Sequence, residues 1–278
     1  MEKKWTAWHS TGLILIIVVM FFFGFYMPAK NLLLSWYITM AALVIFAMIA
    51  GQGITGRFWF GWLINEQYRM SLSRLQMLLW TVVVLSAFFI IAINNIRLNV
   101  KNPVDIAVPS AIWLAMGISI VSLVGSPLIL KEKKEKKTNR EQAENSAKRL
   151  GLLAEDASKE EKRKVAASTT DGQLNRNTKP EDARLYDLVR GEEVGNASVL
   201  DLTRLQNLFF TFILIASYAA NLAEIMISGA PVHELPPMDE SSLALLGISH
   251  AGYLTAKAVD KQPEGRDEPQ TVMERPGE

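Results

Sequence analysis

Residues 70–81 read MSLSRLQMLLWT and residues 200–211 read LDLTRLQNLFFT, so one helix-opening phrase occurs twice, 130 residues apart. In each copy a short polar residue, Ser71 or Asp201, stands before a Leu-Ser/Thr-Arg-Leu-Gln run that turns apolar. Such residues accept hydrogen bonds from the free N–H groups of a first helical turn, so both are read as N-caps. Carrying the same spacing forward, Gly117-Ile118-Ser119 falls on Gly247-Ile248-Ser249 with no gap. Two separate motifs at one offset point to a helical hairpin that is duplicated.

Working outward, the run after the first copy, Leu75 to Asn95, holds no charged residue. Neither do Thr11 to Met27, Asn31 to Thr55 or Ile106 to Leu130, and Leu205 to Ser228 is broken only by Glu224. Crossing about 30 Å of hydrocarbon takes roughly 20 helical residues. A soluble core helix keeps a polar face, and these segments have none. Spans are therefore predicted near 11–28, 31–51, 75–95, 107–130 and 205–228. A sixth, 241–259, contains His250 and Lys257, and hydropathy alone leaves it open; its place in the repeat decides for it. The expected fold is an all-α integral membrane bundle of six transmembrane helices with two parallel hairpin repeats. Met1 to Lys4 before an apolar run suggests a signal peptide, but Phe25-Tyr26-Met27-Pro28 offers no small-residue cleavage site, so a retained first span is expected.

The organisation read from this is a leading pair (1–56), a first repeat with an interfacial segment (57–130), an insert (131–199), a second repeat (200–259) and a tail (260–278). Lys3 and Lys4, then Arg57, Arg69 and Arg74, then the Lys131–Arg140 cluster all fall on one side of a six-span scheme. By the positive-inside rule that side is cytoplasmic, with both termini inside. The insert up to Thr178 is rich in Lys, Glu, Ala, Gln and Asn, and is expected to be disordered or a loose solvated helix. The later part, PEDARLYDLVRGEEVGN, reads as a helix opened after Pro180 and ended by Gly191, with Leu185, Leu188 and Val189 on one face for docking. The tail is expected to be disordered.

Several residues stand out as candidates. Arg74 and Arg204 lie one turn inside their helices, where the stem can rest in hydrocarbon and the guanidinium reach a lipid phosphate or an acid. Gln76 and Gln206 lie slightly deeper, and each needs an interhelical partner. Cap, anchor and packing is the plain reading of these four; a ligand or ion site is the sharper one. Gly117, Ser119, Gly247 and Ser249 belong to helices rich in small residues, which favours tight helix packing or an oligomer contact, with a Ser-lined pore as the alternative. His250 is an ionisable group within a span; its repeat counterpart is Ile120, so a neutral histidine bonded to a neighbouring helix is preferred over a proton relay. Glu224, Asn94, Asn95 and Asn221 could form a polar patch at the outer mouth, or be solvated helix ends.

Other patterns exclude. There are no cysteines, hence no disulfides or thiolate sites. The net charge of +1 gives no field for nucleic acid. Gly51-Gln52-Gly53-Ile54-Thr55-Gly56 matches G-x-G-x-x-G but follows a membrane helix rather than a strand, so it is read as a flexible exit and not a dinucleotide site. The aromatic stretch after it places Trp59, Trp62 and Tyr68 in the headgroup zone. No catalytic, metal or cofactor constellation appears, so no enzyme activity and no cofactor are expected.

SLSRLQMLLWTVVVLSA (71–87) with GISIVSLVGSPLIL (117–130), and RGEEVGNASVLDLTRLQNLFFT (190–211) with LLGISHAGYL (245–254), resemble segments of a bacterial membrane-protein family without an assigned activity. The resemblance covers about 57–130 and 184–259 and implies a bacterial source. It brings no site residues. Beyond the lipid bilayer, the expected partners are a cytoplasmic protein met through the insert and further copies of the chain. The functional expectation is a membrane anchor, scaffold or sensor, with a small oligomeric channel or transporter as the alternative.

Overall fold

Ser71 and Asp201 do cap their helices. The Ser71 hydroxyl accepts from the Arg74 N–H, and the Asp201 carboxylate accepts from the Thr203 and Arg204 N–H groups. The structure, a computed structural model, describes residues 5–26 and 31–261. Lys3, Lys4, Met27, Pro28 and the tail beyond residue 261, to which expectations were attached, lie outside the described residues. The helices are α1 (Ala7–Tyr26), α2 (Leu32–Thr55), α3 (Leu72–Arg97), α4 (Ser110–Glu135), α5 (Arg140–Arg149), α6 (Lys159–Thr169), α7 (Leu202–Ser228) and α8 (Glu240–Ala258).

Among the described residues, five helices are long and apolar enough to cross a membrane: α1, α2, α3, α4 and α7. That is the character of a helical integral membrane protein. The less apolar α8 lies against α4 and α7.

The bundle is organised around α3. In its most apolar stretch 61% of residues are buried, against 11% for α1 at the rim. Trp80, Ala87, Ile90 and Ile91 of α3 are almost fully enclosed and meet Trp36 of α2, Ile112 and Ala115 of α4, and Leu222 and Met226 of α7. The Trp36 indole N–H donates to Ser86 Oγ at 2.9 Å, which satisfies that donor within the apolar centre. Outward residues of α1 (Ile14, Leu15, Val18, Phe21, Phe22) and of α4 (Trp113, Leu114, Val121, Val124) are exposed. An apolar face of that extent needs a lipid or protein covering.

The glycine-rich segment remains helical through Thr55, where a flexible exit was expected. Gly51 sits where the backbone of Gly61 and Trp62 crosses α2, too close for a Cβ, and left-handed Gly56 ends the helix. The chain then turns through Gly61–Leu63 and a tight loop at Asn65–Met70, where the Asn65 side chain accepts from the Gln67 and Arg69 N–H groups.

The insert folds back over the bundle. After α4, helices α5 and α6 pack on each other and on Val194 through Ala143 and Ala166. A two-residue hairpin follows, β1 (Thr170–Asp171) and β2 (Leu174–Asn175). Its turn residue Gly172 has φ +62° and presses against the last carbonyls of α4, leaving no room for a side chain. Thr138 Oγ1 donates to the Gly172 carbonyl, and the Gln173 N–H donates to the Lys133 carbonyl. Where a helix after Pro180 was expected, two 3-10 turns occur, Pro180–Asp182 and Leu185–Leu188. The reason is that the Asp187 carboxylate is drawn inward by partners elsewhere in the chain. Leu188 docks beside Leu63, Ile64, Met70 and Leu75, while Leu185 stays exposed.

Gly172→Ala combines a left-handed φ with a backbone collision. It is expected to cost about 1–3 kcal/mol, read as a lowered melting temperature of detergent-solubilised protein with normal membrane insertion.

Candidate functional site

Two polar assemblies stand out in an otherwise apolar molecule. The first closes one end of the bundle. Asp187, fully buried, accepts the Met70 and Arg184 backbone N–H groups and pairs with Arg190 at 2.7 Å. Arg69 lies 3.8 Å from the same carboxylate and donates to the Gly191 carbonyl at 2.6 Å. Glu192 takes Arg204 of α7 at 2.7 Å and Lys257 of α8 at 2.6 Å. Glu193 takes Lys133 of α4 at 2.5 Å. Arg204 also donates to the Leu188 and Asp187 carbonyls, and Lys133 to the Val259 carbonyl. The Tyr253 ring lies beside Arg204 and Lys257, and its hydroxyl accepts from Lys257. The 187–193 segment thus supplies three acids to cations gathered from α4, α7, α8 and the loop before α3.

The electrostatics follow from this crowding. Burial alone would raise the Glu192 carboxyl pKa, but Arg204, Lys257 and Arg69 hold it well below the usual carboxylate range. Burial, reinforced by Arg190, lowers Arg69 to about 10, so it stays charged at neutral pH. The ions are largely withdrawn from water, so removing one partner strands the others.

The second assembly is a polar seam inside the bundle. Gln76 Nε2 donates to Asn207 Oδ1 at 3.0 Å and to Thr211 Oγ1 at 2.7 Å. Ser249 Oγ donates to the same Asn207 oxygen at 3.0 Å. On the α4–α8 side, Ser122 Oγ and His250 Nδ1 lie 2.6 Å apart, and Ser73 meets Ser126 at 3.3 Å. Gln76 Oε1, Asn207 Nδ2, His250 Nε2, the Trp80 indole N–H and the Tyr218 hydroxyl are buried without a hydrogen-bond partner among the described residues.

The candidate residues divide between these assemblies and the outer surface. Arg204 belongs to the ion network. Arg74 is half-buried and donates to the Ile64 carbonyl, so each arginine of the repeated phrase ties down the connecting segment before its helix. Gln76 and Ser249 belong to the seam, and His250 bonds to a neighbouring helix. Ser119 is buried and donates to the Ala115 carbonyl of its own helix.

Gln206 does not match Gln76: it is exposed. The buried face of α7 runs through Asn207, Thr211, Leu214, Tyr218 and Leu222, and Gln206 lies about 100° from it. The same rotation leaves Asn221 and Glu224 exposed, apart from Asn94. Asn94 and Asn95 are instead buried and pin the α7–α8 connection, Asn94 donating to the Gly229 and Ala230 carbonyls and Asn95 exchanging bonds with Val232. No outer polar patch of the four forms. Helices α4 and α8 do pack closely, as their small residues suggested, but the two glycines are not the points of tightest contact: a Cβ at Gly117 would meet nothing within 4 Å, and one at Gly247 only Ile118 at 3.9 Å.

Sequence reasoning passed over Asp187, Glu192, Glu193, Asn207 and Lys133. A usable signal existed for the acids. RGEE lies between two hairpins whose basic ends lack partners of their own. No family model, curated protein or solved structure matches the chain.

Glu192→Gln is expected to lose about 3–5 kcal/mol at pH 7, since Arg204 and Lys257 remain buried. Because the folded carboxyl is more acidic than its ordinary value of 4.5, its stabilisation is complete above that value and is lost as pH falls below it. Melting curves of the parent should therefore drop below about pH 4.5, and Glu192→Gln should flatten that part of the profile. Asn207→Leu, which strands Ser249 and leaves Gln76 only Thr211, should cost about 1–2 kcal/mol by the same assay.

Proposed function

We propose that the chain is a six-span protein with both termini in the cytoplasm, acting as a membrane anchor and scaffold for a cytoplasmic protein partner. In this reading α8 is the sixth span, α3–α4 and α7–α8 are the two parallel repeats, and residues 131–199 form a cytoplasmic cap. Arg57, Arg69, Arg74 and the lysines from Lys131 to Lys137 then share the cytoplasmic end, as the positive-inside rule requires.

The single observation that carries the scaffold reading is the clamping of the cap. Glu192 and Glu193 bind it to Arg204, Lys257 and Lys133 of the bundle, and Asp187 faces Arg69 before α3, so α5 and α6 project in a fixed pose and not on a loose tether. A platform held this way presents one surface to a partner and orients it to the membrane. The centre of the bundle, filled by Trp36, Trp80 and their neighbours, fits a structural role better than a conduit. The buried seam of Gln76, Asn207, Ser249 and His250 favours the second reading, a small oligomeric channel or transporter; for it, flux through proteoliposomes should change on Ser249→Ala.

The geometry offers a clean test. Thr138 and Gly172 are hydrogen-bonded at the base of the α5–α6 projection, so its ends are close together. Replacing residues 140–169 by a short Gly-Ser linker is expected to keep membrane insertion and leave the melting temperature within a few degrees. Crosslinking pull-down from native membranes should then lose the partner that the parent chain captures. Retention of that same partner by the linker variant would sink the scaffold reading.

A further inference from the structure

Between α3 and α4, at the basic end, lies a groove of about 680 Å³. Its floor includes Met77 and Leu78 of α3 and Leu123 and Leu128 of α4, and its rim carries Arg74 and Lys131. Pro127 lines it too, and having no N–H it cannot bond the Leu123 carbonyl one turn back. The groove therefore has an apolar body and a cationic lip, with a helix carbonyl released beside it.

The charge balance at the lip is uneven. Lys134 is engaged by Glu66 at 3.0 Å and by Asp171 at 3.4 Å. Lys257 is engaged by Glu192. Arg74 gives one donor to the Ile64 carbonyl and keeps others. Lys131 is exposed and has no ion-pair partner among the described residues. Two cations thus remain over an apolar channel, at the level where the helices pass from apolar to charged sequence.

Resting on the membrane reading above, we propose that this groove binds an anionic phospholipid of the cytoplasmic leaflet, with its phosphate between Arg74 and Lys131 and an acyl chain along Met77, Leu78, Leu123 and Leu128. A zwitterionic lipid brings its own cation to the lip and gains less. A free phosphate has no use for the apolar floor. A guanidinium suits the phosphodiester by its planar fork, and a lysine by its mobile point charge. The lip also belongs to the junction that holds the cap, since Lys134 of the groove wall reaches Asp171 of β1. An occupied groove would therefore stiffen the contact between bundle and cap.

The test uses the purified full-length protein in neutral detergent, after alkaline carbonate extraction has shown that it stays in the membrane pellet. Extraction into the supernatant would mark failure of the membrane reading itself. Phosphatidylglycerol, phosphatidylcholine or inorganic phosphate is then added, and melting temperature and native mass spectra are recorded. Phosphatidylglycerol is expected to raise the melting temperature by several degrees and to leave a stoichiometric adduct; the other two are not. Lys131→Gln, at an exposed position, should weaken phosphatidylglycerol binding at least threefold while leaving the unliganded melting temperature unchanged. Leu123→Trp, which fills the floor, should abolish the adduct. Equal shifts from both lipids, an equal shift from inorganic phosphate, or parent-like binding by both variants would overturn the proposal.

Discussion

A carboxylate taken out of water must meet its counter-charge, and the arrangement at Glu192 between Arg204 and Lys257 answers that demand. The lipid-side helices end in cations that would otherwise stand at a low-dielectric boundary. Segment 187–193 brings acids to them. Each ion removes part of the desolvation penalty of the next, so the assembly holds as a set. Much else follows from it. Because Asp187 faces inward, 180–188 forms 3-10 turns instead of a helix. Because Glu193 holds Lys133, the end of α4 is fixed beneath Gly172 and the β-hairpin.

The bundle itself relies on a different balance. Between helices in lipid, apolar burial gives little net drive, so shape and hydrogen bonds decide which faces meet. The α3 surface supplies both. Trp80, Ile90 and Ile91 fill the centre, while Gln76 reaches Asn207 and Thr211. Buried polar atoms left over along the same seam identify it as the least settled part of the interior.

The apolar helices were legible because hydrocarbon excludes charge along a whole span, and Leu75–Asn95 carries none. The N-caps at Ser71 and Asp201 were legible because capping depends on a few adjacent residues. What local sequence left open was rotation. An identical Leu-Gln pair faces inward at Gln76 and outward at Gln206, since neighbours on other helices determine which side of α7 is covered. The small residues were a partial guide for a similar reason. Their helices, α4 and α8, do pack together, but Gly117 faces open space and Gly247 meets only Ile118. The acids of RGEE were visible as charge, yet their partners lie far along the chain and only folding brings them together.

The chain order of the ion network bears on how the protein is made. Lys133 emerges first, its partner Glu193 some sixty residues later, and Lys257 only with α8. Until α8 has been synthesised and has docked against α4 and α7, Glu192 lacks one of its two cations and the clamp on the cap stays open. Completion of the charged cap thus reports arrival of α8, and synthesis halted before α8 leaves charged, unpaired surface beside the bundle. Such a surface is a physical mark by which a chain lacking α8 differs from one that has it.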